Sequence, residues 1–282
     1  MSEIHWPFPT QGLTPEERHE NQGYAFEKLA GFFERAGVEV EGNLPEGERP
    51  IVLAYDHDDA TDPFYAVLAT LRQREEKTFI VAAKDKLRQP VVGRLIEQMG
   101  VVWTIRPKRD ADGNKRIGGL ALGLGTALAE GMHDTPNGVA LIAPESGRNR
   151  GVINPFSAGA VLAASLHSEL AGDGEPTDLV IAAVSGNRLG GCLKRHDDTN
   201  VVIKFGEPHP IGTEAIEWYR ENPKHPELMA LRDYLRQDML SLVHDTEARL
   251  GLPLSVMNDS PRQKGLRENV AAHLGSILGR EK

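Results

Sequence analysis

Residues 51–64 read IVLAYDHDDATDPF. The five residues Ile51 to Tyr55 form a continuous apolar, partly β-branched run, which predicts a strand buried on both faces. Asp62-Pro63 predicts a helix start, with the acid at the cap and proline at the first helical position. His57 therefore falls in a strand-to-helix turn, and in open α/β sheets the turns at the carboxyl ends of strands are where ligands bind. A neutral imidazole can take a proton from a hydroxyl when a carboxylate holds its other nitrogen, so His57 and Asp62 are candidates for a general base and its orienter. Two other readings fit the same residues. Asp62 can be a plain helix cap beside solvated acids, or Asp56, His57, Asp58, Asp59 and Asp62 can form an oxygen-rich ligand set for a divalent metal.

Outward from this stretch the pattern repeats. Short aliphatic runs at 78–82, 101–105, 139–143, 179–184 and 201–205 alternate with helical patterns at 63–75, 89–99, 116–130 and 156–170, the arrangement of an α/β protein. We expect a mixed central sheet flanked by helices. Thr14-Pro15-Glu16-Glu17 opens, and Gly37 closes, one or two helices ahead of it. From Glu214 to Gly251 long charged helices, interrupted by Pro223 and Pro226, carry Leu231, Tyr234, Leu235, Met239, Leu242 and Val243 as an apolar stripe and predict a C-terminal helical cover. The expected division is an N-terminal helical segment over 1–45, an α/β core over 46–213 and a helical extension over 214–282.

Composition removes several function classes. The chain has 282 residues, 40% hydrophobic and 26% charged, with a formal net charge of −9. That balance suits a soluble globular protein and argues against general nucleic-acid binding, so an anionic substrate has to meet local basic residues. Cys192 is the only cysteine, which excludes an intrachain disulfide or a cysteine cluster for zinc and fits a reducing, cytoplasmic setting. No apolar run of about 18 residues occurs, and the N-terminus lacks the pattern of a signal peptide. Peripheral contact with a membrane surface stays open through Trp6, Phe8, Phe26, Phe32 and Phe33, although Phe26, Leu29, Phe32 and Phe33 at helical spacing also suit a core face.

Three further stretches carry chemistry. After the run at 139–143 comes Pro144-Glu-Ser-Gly-Arg148, where Arg148 and Arg150 offer forked donors to phosphate oxygens and Ser146-Gly147 lets backbone amides approach an anion; the competing reading is a surface loop in which Glu145 pairs with an arginine. Gly100 to Arg106 is a strand ending in an arginine. His57, Arg106, Glu145 and Arg148 thus converge on strand carboxyl ends, one rim of the expected sheet. Lys84, Lys86, Arg88 and Arg94 make a basic patch suited to an anionic donor, or simply a solvated face. Gly118 to Ala127 has the look of a dinucleotide fingerprint, but Leu128 stands where the third glycine is required, and close helix packing explains the glycines better.

Taken together these motifs resemble the glycerolipid acyltransferase family, the glycerol-3-phosphate and 1-acylglycerol-3-phosphate acyltransferases, over roughly residues 51–208. His57-x-x-x-x-Asp62 resembles the first family motif, Gly100 to Arg106 the second, Pro144-Glu-Ser-Gly-Arg148 the third and Val180 to Val184 the fourth. Lys84-Asp-Lys-Leu-Arg-Gln-Pro90 and Phe205-Gly-Glu-Pro208 match further family stretches. The chain departs from the pattern at Asp56 and Asp59, where the family commonly has Asn and Ser or Thr. Ala143-Pro-Glu-Ser-Gly-Arg-Asn-Arg150 is similar to Ala-Pro-Ser-Gly-Gly-Arg-Asp-Arg of soluble plastid glycerol-3-phosphate acyltransferases. The resemblance implies direct transfer of a fatty acyl group from acyl-CoA or acyl carrier protein to a hydroxyl of glycerol 3-phosphate or a lysophospholipid. It implies His57 as base, Asp62 as orienter, and Arg106, Glu145, Ser146, Gly147 and Arg148 as acceptor-binding residues. Lys84, Lys86, Arg88 and Arg94 then mark a donor entrance, and no metal or other cofactor is expected. The alternatives are a metal-dependent phosphoesterase, for which no set of later His or Asp ligands is evident, and a non-catalytic acyl-thioester- or lipid-binding relative.

Overall fold

A computed structural model describes residues 37–47, 49–57, 62–74, 78–83, 101–104, 118–134, 137–145, 151–186 and 201–258. A seven-stranded sheet is built from β1 (Val38–Glu41), β2 (Ile51–Tyr55), β3 (Thr78–Ala83), β4 (Val101–Thr104), β5 (Val139–Ile142), β7 (Thr177–Gly186) and β8 (Val201–Ile211), in the order β1-β8-β7-β2-β5-β3-β4. Pairing is parallel throughout except between β7 and β8. The sheet is therefore mixed, as expected. A second, two-stranded sheet joins β6 (Val152–Ile153) to β9 (Val256–Met257).

β2 lies at the centre, between β7 and β5, and every residue of its apolar run is buried. Alternation along the strand divides the core in two. Val52 and Ala54 face a cluster formed with α2 (Gly118–His133), α3 (Gly159–Ala171), α4 (Glu214–Glu221) and α5 (Pro226–Arg249). Ile51, Leu53 and Tyr55 face the other cluster, which includes Tyr65, Ala66 and Ala69 of α1 (Asp62–Gln73). Proline after the first acid and Arg72 in the last turn suit the ends of α1. Gly125 of α2 serves packing. A Cβ at Gly125 would meet Leu162 Cβ at 3.0 Å and the Ala163 nitrogen at 3.2 Å on α3.

The structure differs from the sequence expectations at three places. β1 was not anticipated, because VEVE is short and half charged; it is held by parallel pairing with Val201 to Lys204. The strand expected at 201–205 is longer, since β8 runs on to Ile211 beside β7, pairing Pro208 with Val180 and Pro210 with Asp178. β1 reaches only as far as Lys204, so among the described residues the far edge of residues 206–211 meets no strand and accepts proline. The helical cover breaks at Pro223 and Pro226 as expected, Pro226 opening α5, but Tyr234 of the expected apolar stripe is exposed, with its ring edge-on to His209. The buried side of α5 is Leu228, Leu235, Met239, Leu242 and Val243. The expected helices at 14–37 and 89–99 lie outside the described residues.

α3 is pinned to the start of β7 by polar groups. The Ser168 hydroxyl accepts the Thr177 N–H (2.8 Å) and donates to Ile211 O (2.9 Å), while His167 Nδ1 lies 2.8 Å from Thr177 Oγ1. Burial, with Arg49 and His133 nearby, lowers the His167 pKa from 6.5 to about 4. Between those values the unfolded chain binds a proton that the folded chain refuses, so stability falls as pH drops through this window. Denaturant titrations should show a loss attributable to His167 on the order of 3 kcal/mol. His167→Asn should flatten that dependence; an unchanged slope would mean that another group is responsible.

Candidate functional site

Beyond Tyr55 the chain leaves the sheet at its carboxyl edge. The Asp56 N–H donates to Ala182 O (3.1 Å), and Asp56 Oδ1 accepts the Val184 N–H at 2.5 Å, so the departing turn is fastened to β7. This role differs from the metal-cluster reading, because the Asp56 carboxylate, only 1% exposed, is committed to a backbone amide. Among the described residues no group of three or more His, Cys, Asp or Glu side chains is arranged to hold a metal ion. Asp58 and Asp59 lie outside the described residues.

His57 follows, with Nδ1 facing Asp62 Oδ2 at 3.7 Å. The imidazole is 20% exposed and the carboxylate 0%. Asp62 stands in the first turn of α1, where the helix dipole favours a negative charge. The separation is longer than a hydrogen bond but short enough for charge to orient the ring, and catalytic contacts of this kind commonly tighten when substrate binds. Tyr55 packs edge-on against His57, ring centroids 6.0 Å apart. Its pKa is raised strongly, by burial first and then by Asp62 and Asp56, which keeps the phenol neutral beneath the pair.

The neighbouring strand ends arrive at the same level. β2 pairs with β5 through Ala54↔Ile142, three residues before His57 and Glu145 respectively, so both strands leave the sheet at the same edge. β3 connects Leu141 to Val101 through Ile80, so β4 ends at Thr104 level with Pro144. Glu145 is 7% exposed, and its Oε2 accepts the Asn154 N–H at 2.8 Å. The Ser157 N–H donates to Pro144 O at 2.7 Å, closing the excursion between β5 and α3. His57, Asp62 and Glu145 thus share one rim of the sheet. Arg106, Ser146, Gly147, Arg148, Lys84, Lys86, Arg88, Arg94 and Cys192 lie outside the described residues.

The Acyltransferase family model matches residues 37–183, more than half of the chain. The chain belongs to the acyltransferase family. His57, Asp62 and Glu145 all fall within the acyltransferase match, whereas β8, α4, α5 and β9 follow it. Among solved structures the chain is similar to the 1-acyl-sn-glycerophosphate (LPA) acyltransferase PlsC from Thermotoga maritima, at 16% identity, covering 83% of each chain with a TM-score of 0.48. Comparison with curated proteins gives no match. Among the described residues no helix of this acyltransferase is long and apolar enough to cross a membrane.

Sequence reasoning missed Asp56 as a fastening for the turn and missed Asn154 as the partner of Glu145. Asp56 stood out only as one of several acids in a row. Asn154 carried no signal, since its role depends on a return of the chain to the rim.

Proposed function

We propose that this acyltransferase moves a fatty acyl group from an acyl thioester, acyl-CoA or acyl carrier protein, to a hydroxyl of glycerol 3-phosphate or a lysophospholipid. The observation that carries the reading is a partly exposed His57 facing a fully buried Asp62 across 3.7 Å at the carboxyl rim of the sheet. With Asp62 on the Nδ1 side, Nε2 of His57 is left for the acceptor hydroxyl. As the hydroxyl oxygen attacks the thioester carbonyl, its proton passes to Nε2; the new C–O bond forms, the C–S bond breaks, and the proton returns to the leaving thiolate. Asp62 stabilises the imidazolium in between and needs to move no proton itself. Catalysis of this kind uses positioning of the two substrates and requires no covalent acyl-enzyme.

Arg106 and Arg148, with the backbone amides of Ser146-Gly147, are assigned to the acceptor phosphate, and Glu145 to placing the glycerol hydroxyls. Lys84, Lys86, Arg88 and Arg94 are assigned to the entrance for an anionic donor, which an acidic protein needs locally. Lipid acceptors would be collected by peripheral contact with a membrane surface.

A mass-spectrometric assay offering acyl-CoA and acyl carrier protein against glycerol 3-phosphate and lysophosphatidate tests the proposal. At least one pair is expected to give an O-acylated product whose formation follows enzyme concentration. If every pair fails with folded protein, the glycerolipid assignment has to be abandoned.

A further inference from the structure

The C-terminal segment of this chain, which follows the family match, returns to the rim and grips the residues that hold Glu145. β9 pairs with β6, the Val256 N–H donating to Gly151 O and the Asn258 N–H to Ile153 O, each at 3.0 Å. Asn258 Nδ2 donates to Asn154 Oδ1 at 2.9 Å. Asn154 in turn gives its N–H to Glu145 Oε2.

α5 supplies the other half of the grip. Arg236, 5% exposed, donates from Nη2 to Ile153 O and to Asn258 O, both at 2.8 Å, so one guanidinium joins the loop to the returning strand. Arg232 donates to Phe156 O farther along the same loop. The strand is itself tied back to α5, because Glu247 accepts the Ser255 N–H (2.7 Å) and hydroxyl (2.6 Å). His244 Nε2 lies 2.6 Å from Ser255 O. Burying an arginine and a glutamate costs free energy unless they are paired, and here Arg236 bonds two backbone carbonyls and Glu247 a backbone amide and a serine hydroxyl. Packing the helix against the sheet could be achieved with apolar residues alone. What these polar groups add is a fixed geometry for residues 151–157 and hence for the amide that holds Glu145.

We propose that Arg236 and Asn258 are positioning residues for acceptor binding, acting through Asn154 on Glu145. The proposal rests on the acyltransfer reading above, in which Glu145 lies beside the acceptor's glycerol hydroxyls. The acceptor is a glycerol phosphate or its monoacyl ester, whose hydroxyls must be aligned with His57. A Glu145 carboxylate whose Asn154 contact is displaced would shift from that alignment and weaken acceptor binding, whereas the donor thioester would be unaffected.

The test uses the full chain with Asn258→Asp, which keeps size and strand but turns an oxygen toward Asn154 Oδ1. Arg236→Lys, which keeps the charge but loses the forked geometry, is the second variant, and Leu252→Ala on the same segment is the control. Steady-state kinetics should give an acceptor KM raised about tenfold in both variants, with donor KM and kcat changed less than about twofold. Hydrogen exchange at the Asn154 amide should quicken in the same two proteins and not in Leu252→Ala. An acceptor KM within about twofold of the unmodified protein overturns the proposal, whatever the exchange rates do. So does a fall in kcat together with a rise in both Michaelis constants, the signature of general damage. Absence of turnover in the unmodified protein would defeat the acyltransfer reading itself and is visible before any variant is compared. Exchange at Asn154 reports separately whether the grip exists.

Discussion

His57→Ala lowers kcat for acyl transfer by about a thousandfold, within the range that general-base catalysis contributes. Among the described residues the other histidines have contacts elsewhere: His133 faces His167, His167 binds Thr177, His209 binds Asp238, His225 meets Glu227 and stacks on Trp218, and His244 binds Ser255. Acceptor KM should change little, since the ring contributes mainly when charge develops in the transition state. The fold should survive. His57 lies beyond the last residue of β2 and is 20% exposed, so truncation opens no cavity within the sheet core. Thermal unfolding followed by circular dichroism checks that point beside the kinetics. Retention of a rate within about tenfold of the unmodified enzyme would remove His57 from the mechanism.

Asp62→Asn is expected to lower kcat by about a hundredfold. The amide matches the carboxylate in size and can still begin α1, so packing around this fully buried position is kept. What is lost is the negative charge facing Nδ1, which orients the ring and offsets the positive charge that develops on it. A neutral amide can also turn its NH2 toward Nδ1 and select the wrong tautomer. A drop confined to kcat, with both Michaelis constants preserved, is the expected pattern. A normal rate in this variant would reduce Asp62 to a helix cap.

Residues 51–64 carried more of the fold than any other stretch, because their features are local. An unbroken apolar run specifies a doubly covered central strand, and Asp62-Pro63 specifies a helix start, without reference to the rest of the chain. The His57–Asp62 pairing was legible for the same reason, since a strand end and the following helix start bring them together. β8 was harder. Pro208 and Pro210, past the expected strand at 201–205, give no strand signal of their own, and they fit because β1 pairs only as far as Lys204 among the described residues. The apolar stripe of α5 was misjudged at Tyr234 because an aromatic ring at helical spacing gives no hint that its neighbour is His209 rather than the core.

The supports of the site were less legible than its reactive groups. Asp56 fastens to Val184, 128 residues away, and Asn154 to Asn258, 104 residues away. Both are asparagine or aspartate residues in turns, where the same side chains ordinarily serve their own local backbone. Only the pairing of β2 with β7, and of β6 with β9, turns them into long-range ties.

The central claim is that His57 and Asp62 act as one unit, and a double-mutant cycle in kcat tests it most directly. Residues acting as a unit are strongly non-additive, so His57→Ala/Asp62→Asn is expected to be no slower than His57→Ala alone, within about threefold. If instead the two losses multiply, Asp62 acts independently of the imidazole and the base-and-orienter account is wrong.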